Sequence, residues 1–221
     1  EGWETIMLGA YPKGSKVVEE LKEVQRLVKG ATDEQKQQYI NCDEDGAYYI
    51  KQYMDDHDLE YSQDTIDFIR KQCSPVIKHH KNHFNRARPY QVAEHLGMEF
   101  ERFNTDTSET PSYPSGHTTQ PLVVALYYSK MYPQHQAGLR NGAKSIGFGR
   151  VIAGLHYPSD YEAGAKLGRE LFEFMKVEEI KEDAPMNSTG GAISMPPTMQ
   201  KKKRDKRYDT DNMYKLLRRY I

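Results

Sequence analysis

Residues 113–131 carry the sequence YPSGHTTQPLVVALYYSKM. The order of proline, serine and glycine followed by apolar residues is typical of a helix N-terminus, and it predicts a buried helix that begins at Ser115. The backbone N–H groups of Gly116 and His117 would lie in its first turn, where N–H groups have no helical partner and can bind an anion. His117 would lie beside that anion and could donate a proton.

Helical periodicity extends to both sides of this segment. Apolar residues recur at helical spacing in residues 17–28, which end at Gly30, and Ser62 begins a long segment that runs toward Asn85 despite Pro75. Residues 99–114 lack a period and are predicted to form a loop. Further helices are predicted from residue 33, around residues 48–54, over residues 134–153, and from Pro158 to about residue 177. Since no segment requires a strand, the sequence predicts an all-α protein.

Composition divides the chain into two predicted parts. Residues 1–182 carry the helical pattern and are long enough to form one domain. Residues 183–221 begin with a proline- and glycine-rich linker, continue with the basic run KKKRDKR at 201–207, and end with a possible short amphipathic helix. We expect this tail to be solvated. The alternatives are a contact in a homo-oligomer or larger assembly, and an electrostatic contact to an anionic surface or nucleic acid.

The bulk properties are those of an ordinary soluble protein. The formal net charge is −1 and 29% of residues are charged, so the field of the whole molecule argues neither for nor against a polyanionic partner. We do not expect nucleic acid as a partner. The longest apolar run, residues 122–128, is far shorter than the about 20 residues that span a bilayer. We therefore expect no integral membrane segment. Because the sequence begins at Glu1, it leaves both a cytoplasmic and a periplasmic or secreted location open. Cys42 and Cys73 fit either two buried thiols or one disulfide between helices.

A second candidate segment contains two cations before a proline, in the sequence KNHFNRARP at residues 81–89. Lys81 and Arg88 are seven residues apart and would share one face of a continuous helix, where they could hold one anion together. Pro89 is predicted to end that helix. The nearby His79 and His83 would also share a face, but the other ligands of a metal site are missing, so no metal centre is predicted.

The third segment, RVIAGLHYPSD at residues 150–160, pairs a histidine with a carboxylate. His156 and Asp160 are four residues apart and could face each other near the start of a helix. A carboxylate bonded to one ring nitrogen would fix the tautomer and leave the other nitrogen free to attack. Arg150 would add a third cation.

Taken together, the three segments predict phosphoryl transfer on a small phosphorylated substrate. That reaction needs an in-line nucleophile, a proton donor for the leaving oxygen and positive charge around the equatorial oxygens. His156 is the predicted nucleophile, Asp160 orients it, and His117 is the general acid. The predicted phosphate-binding groups are Lys81, Arg88, Ser115, Gly116 and Arg150. No metal or other cofactor is predicted, because fixed cations can replace a metal.

The joint pattern K-x(6)-R-P, P-S-G-H and R-x(5)-H-x(3)-D resembles the type-2 phosphatidic acid phosphatase superfamily. Its members include class A bacterial acid phosphatases, lipid phosphatases and vanadium haloperoxidases. The resemblance is greatest to the soluble acid phosphatases, and it implies a helical bundle with the site at one end. It also implies a phosphohistidine on His156, with His117 protonating the leaving group and then activating water. Vanadate is expected to bind as a phosphate mimic.

Details of the pattern add two expectations. Gly149 stands where the family usually has serine, so a hydroxyl near the site is absent. Gly164 and Gly168 follow the third motif at a spacing that would let two helices approach closely.

Two other functions stay open at the level of sequence. One is a vanadium-dependent haloperoxidase, although such chains are usually much longer. The other is a structural or assembly protein docked by its C-terminal tail.

Overall fold

A computed structural model describes residue 3, residues 6–105 and residues 108–175. These residues form eight α-helices and no strand, which confirms the all-α prediction for this part of the chain. The helices are α1 (Ser15–Lys29), α2 (Asp33–Glu44), α3 (Tyr48–Asp56), α4 (Gln63–Phe84), α5 (Pro89–His95), α6 (Gly116–Met131), α7 (Gln136–Ile152) and α8 (Pro158–Phe174). The predicted linker, basic run and terminal helix in residues 183–221 lie outside the described residues.

Helix α6 lies at the centre of the bundle and contacts α4, α7 and α8. Its apolar residues are buried on several sides, and Val123, Val124 and Ala125 are almost fully inaccessible to solvent. A helix that is apolar all round is stable only when other elements cover it, as they do here. The segment that carries the SGH motif therefore begins a helix fixed in the core.

Glycines on the neighbouring helix let it approach α6 closely. A Cβ atom at Gly164 would lie 2.6 Å from the carbonyl oxygen of Ser115, and one at Gly168 would lie 3.1 Å from that of Thr119. This confirms the close approach predicted from their spacing. The contact brings the start of α8 against the start of α6.

One local prediction was wrong, and it concerns the segment between Lys81 and Pro89. Helix α4 ends at Phe84, where Asn85 adopts a left-handed conformation with φ of 43°. Arg88 is extended and precedes α5, so it does not share a helix face with Lys81. Pro89 begins α5 instead of only ending α4, because a proline in the first turn has no N–H to leave unpaired and its φ already suits a helix.

Two further outcomes concern expectations from composition. Within the described part of the chain, every helix is too short or too polar to cross a membrane. Cys42 and Cys73 are both buried and both free, so the disulfide alternative is not realised.

Candidate active site

His156 lies in the short connection between α7 and α8 and is 2% exposed. Gly154 makes the turn out of α7 with φ of 79°, a conformation that L side chains rarely adopt. Helix α8 then starts at Pro158, which places Asp160 in its first turn. There the Oδ2 atom of Asp160 accepts the Tyr157 N–H at 2.9 Å and lies 3.2 Å from His156 Nδ1.

The other ring nitrogen of His156 faces a cation. Nη1 of Arg88 lies 3.4 Å from Nε2 of His156. Because a guanidinium can only donate, we assign the ring proton to Nδ1, where Asp160 accepts it, and a lone pair to Nε2. Burial, with the charges of Arg88 and Lys81, lowers the pKa of His156 to about 3, although Asp160 opposes the shift. The ring is therefore neutral over most of the pH range, with its lone pair on Nε2.

Asp160 is completely buried and held by several donors. Arg86 Nη1 donates to Oδ1 at 2.7 Å, and the Ser112 hydroxyl donates a short hydrogen bond to Oδ2. Burial raises the pKa of this carboxyl, but hydrogen bonds and charges from His156, Arg86 and Ser112 outweigh it and lower the pKa below its ordinary value. Asp160 is thus ionised and can fix the orientation of the imidazole.

Arg86 and Ser112 are site residues that sequence reasoning missed. Arg86 stands within the segment KNHFNRARP, where no role was predicted for it, and Ser112 lies in the loop without a period. Their spacing to Asp160, 74 and 48 residues, carries no local signal. One local feature pointed to Arg86. It lies two residues before Arg88, in a segment that the sequence predicts to bind an anion.

The structure brings Lys81 and Arg88 to the same place from different backbone elements. Lys81 is in the last turn of α4 and donates to the carbonyl of Pro111. Arg88 donates to the carbonyls of Thr110 and Leu155, both at 2.9 Å. Both side chains are buried, and burial is the main cause that lowers the pKa of Lys81 to about 7 and that of Arg88 to about 10. Because their partners are neutral carbonyls, their positive charge is available to an anion.

Ser115, Gly116 and His117 lie at the start of α6, as the sequence predicts. Ser115 occupies the N-cap position, but its side chain makes no capping bond and accepts a hydrogen bond from Thr118 Oγ1 at 3.0 Å. Its hydroxyl proton is therefore free to be donated elsewhere. Burial and the charges of Arg150, His156, Arg70 and Lys81 lower the pKa of His117 well below its usual value. A bound anion would oppose those cations and raise it.

Arg150 is held by residues from outside the three motifs. Its Nη1 lies 2.5 Å from Asp43 Oδ1, its Nη2 donates to Thr105 Oγ1 at 3.2 Å, and its guanidinium lies over the ring of Tyr39 at 5.0 Å. The charge still acts on the site, since it lowers the pKa of His117. Asp43 is a third residue that sequence reasoning missed, because it is 107 residues from its partner.

Gly149 borders a groove of about 290 Å³ between α2 and α7, and a Cβ atom there would touch nothing within 4 Å. The serine that the family usually has would therefore fit without steric conflict. Among the described residues, no group of three or more His, Cys, Asp or Glu side chains is arranged to hold a metal. His79, His80 and His83 therefore form no such group.

This arrangement suits attack on an electron-poor atom that carries anionic oxygens. Nε2 of His156 lies beside the Arg88 cation, and the charge of the buried Lys81 also acts on His156. The start of α6 is bonded to the first turn of α8, and the charge of His156 acts on His117. Fixed positive groups of this kind stabilise charge on transferred oxygens without reorganising.

The fold and the site define a helical bundle of the PAP2 type, and the family model for the PAP2 superfamily matches residues 72–174. This match covers 103 of the 221 residues, so the chain is similar to this superfamily over just under half of its length. The matched region contains all eight residues predicted for the site.

Curated relatives share the same part of the chain. A non-specific acid phosphatase of Salmonella typhimurium is 34% identical over 100 residues, which are 45% of this chain and 39% of that protein. An acid phosphatase of Zymomonas mobilis is 36% identical over 84 residues, or 38% of this chain and 31% of that one. A lipid A 1-phosphatase of Rhizobium johnstonii is 32% identical over 88 residues, or 40% and 36%. The chain thus spans less than two fifths of the length of each of these relatives.

A solved structure shares the fold. The transmembrane PAP2 type phosphatidylglycerolphosphate phosphatase of Bacillus subtilis superposes with a TM-score of 0.53 at 18% identity, covering 79% of this chain and 90% of that one. At this identity the likeness concerns the fold alone.

Proposed function

We propose that this protein is a phosphoric monoester hydrolase that acts through a phosphohistidine on His156 and needs no metal. The observation that carries the proposal is the His156–Asp160 pair, which leaves the Nε2 lone pair beside the cation of Arg88. The acid phosphatases among the relatives support the reaction class. The substrate class is a small phosphomonoester.

In the first step, Nε2 of His156 attacks phosphorus and the bond to the leaving oxygen breaks. The leaving oxygen keeps the electron pair and takes a proton from His117. The imidazole becomes positively charged, and the ionised Asp160 stabilises that charge through Nδ1–H. Lys81, Arg88, Arg150, the Ser115 hydroxyl and the Gly116 N–H stabilise the equatorial oxygens.

In the second step, water attacks the phosphohistidine. His117, now neutral, takes a proton from the water, and the P–N bond breaks to restore the lone pair on Nε2. The low pKa of His117 in the free protein suits this step, and the bound phosphoryl group supplies the negative charge that lets it hold a proton in the first step.

The test is hydrolysis of p-nitrophenyl phosphate in excess EDTA, with and without vanadate. We expect turnover that resists EDTA and is inhibited by vanadate, which occupies the phosphate site. No turnover from acidic to neutral pH would contradict the proposal, and bromide oxidation with vanadate and peroxide would then test the haloperoxidase alternative.

The nucleophile is tested with His156→Ala, which should lower kcat by more than about a thousandfold because the covalent acceptor is lost. His95→Ala is the matched control, since His95 is exposed at the end of α5. Near-normal activity of His156→Ala would overturn the assignment. Trapping labelled phosphate on the wild-type protein, but not on His156→Ala, would support the covalent step.

A further inference from the structure

Arg70 is a cation near the site that belongs to none of the three motifs. It lies on α4, and its side chain is 30% exposed, whereas those of Lys81 and Arg88 are buried. Its nearest carboxylate is that of Asp67 at 3.9 Å, which is itself 59% exposed. The Nε atom is buried and has no hydrogen-bond partner among the described residues. A ligand can therefore reach Arg70 only through the exposed part of its side chain, since Nε is closed to solvent.

Contacts between α4 and α6 place Arg70 on the side of the site where His117 lies. Gln120 Nε2 donates to the Arg70 carbonyl at 2.9 Å and lies 3.1 Å from Ser74 Oγ. Gln120 is three residues after His117, so the two share one face of α6. The charge of Arg70 is also among those that lower the pKa of His117.

The guanidinium of Arg70 packs against the connection between α2 and α3. A Cβ atom at Gly46 would lie 2.7 Å from Arg70 Nη2, so the guanidinium packs where that glycine has no side chain. Asp43, three residues earlier, binds Arg150. Three residues span at most about 11 Å, so Arg70 and Arg150 flank one short connection.

The carboxylates of this connection do not neutralise Arg70. Asp43 pairs with Arg150, and Asp45 pairs with Lys51 and accepts the Ala47 N–H. The positive charge of Arg70 is thus not cancelled by these carboxylates, and it acts on His117.

We propose that Arg70 is a specificity residue that binds a second anionic group, a carboxylate or another phosphate, on the leaving group of the substrate. The inference rests on the proposed function, because His117 marks the leaving-group side only if it protonates the leaving oxygen. The planar guanidinium can bind either group through two parallel hydrogen bonds. Leaving groups with a positive charge are disfavoured by the same residue.

The experiment compares two substrates of matched size that differ in the charge of the leaving group. Phosphoglycolate carries a carboxylate, and phosphoethanolamine carries an ammonium group. The readout is the ratio of kcat/KM for the first to that for the second. We expect wild-type protein to favour phosphoglycolate and Arg70→Gln to lower the ratio by about tenfold or more, the effect of losing hydrogen bonds to a charged group.

Lys71→Gln is the matched control, because it removes an exposed cation from the next position on α4. It should leave the ratio unchanged. Arg70→Lys keeps the charge without the planar fork and should retain part of the preference, which provides a measurement if Arg70→Gln does not fold. A ratio that changes by less than twofold in both Arg70 variants would overturn the inference, since a structural role would affect both substrates alike. Absence of turnover on every substrate by the wild-type protein would instead refute the proposed function.

Discussion

Lys81 and His156 have pKa values that should limit activity at opposite ends of the pH range. The pKa of Lys81 is lowered to about 7, mainly by burial, so the free protein loses this charge, which we propose binds phosphate, as the pH rises through about 7. A phosphomonoester is already a dianion above about pH 6, so the substrate does not titrate there. The pKa of His156 is lowered to about 3, so its lone pair persists at acidic pH. These directions favour activity on the acidic side of neutrality.

We therefore predict that kcat/KM falls as the pH rises above about 7, and that Lys81→Arg moves this decline to higher pH. Arginine keeps its proton because its ordinary pKa is above 12. The measurement is a pH profile of kcat/KM for both proteins. Lys78→Arg, at an exposed position one turn earlier on α4, should leave the profile unchanged. An alkaline limit that stays at the same pH in Lys81→Arg would contradict the assignment to Lys81.

At the scale of single residues, the sequence predicts what depends on local spacing. His156 and Asp160 meet because four residues across a helix start bring side chains together. Ser112 and Asp43 could not be predicted in the same way, since each reaches its partner only after the chain has folded. The ion pair of Arg150 with Asp43 also could not be predicted. A buried guanidinium needs a negative partner, and the sequence does not tell whether that partner is a substrate or a carboxylate of the protein.

At the scale of elements, the contact between α6 and α8 sets the position of the turn that we propose binds the anion. The Ser115 N–H donates to the Asp160 carbonyl at 3.0 Å, so the start of α6 is joined to the first turn of α8. Gly164 lies against this junction, one turn further along α8. The close packing of the two helices therefore connects Ser115 and Gly116 to the His156–Asp160 pair.

We predict that Gly164→Ala destabilises the protein by about 1–3 kcal/mol, the usual cost of adding an atom to a packed interior. The new Cβ would lie 2.6 Å from the Ser115 carbonyl and 2.9 Å from Thr118 Cβ, and backbone must move to relieve this. Activity should also fall, because the displaced turn carries Ser115 and Gly116. Urea unfolding and p-nitrophenyl phosphate hydrolysis measure the two effects.

Gly149→Ala is the control for this prediction, since it is also a glycine inside a helix but has open space around its Cβ position. It should keep the free energy of unfolding or raise it by up to about 1 kcal/mol, because alanine is the better helix former. Equal stability of the two variants would show that the α6–α8 contact is not tight.

The sequence predicted a helix correctly wherever one periodic segment forms one helix. Capping residues at Thr32 and Ser62 mark true helix starts, and both side chains accept the expected backbone N–H. Helix α5 was missed because Pro89 fits both the end of one helix and the start of the next. The two possibilities differ in where α4 ends, and it ends early because Asn85 adopts a left-handed conformation. The presence of an asparagine in the sequence does not by itself indicate that conformation.

At the scale of the whole molecule, Arg86 connects three distant parts of the chain. Its Nη2 pairs with Glu20 of α1 and its Nη1 with Asp160 of α8, both at 2.7 Å, and its guanidinium stacks on Tyr157 at 3.7 Å. Glu20 also accepts the Ser159 N–H at 2.9 Å. The Asp160 carboxylate that lies beside His156 is thus fixed by the packing of α1 against the rest of the bundle.

We predict that Arg86→Met destabilises the protein by about 3–5 kcal/mol, because it leaves the buried Asp160 carboxylate and the largely buried Glu20 carboxylate without their shared cation. Glu20→Gln should cost less, since Arg86 would still neutralise Asp160 and the glutamine oxygen could still accept the Ser159 N–H. Urea unfolding measures both losses. Arg26→Met is the control, because it breaks an exposed arginine–glutamate pair with the same 2.7 Å contact, and such pairs add little stability. If Arg86→Met were as stable as Arg26→Met, the buried network would not be what holds α1 to the site, and the orientation of Asp160 would have to come from Ser112 and the Tyr157 N–H alone.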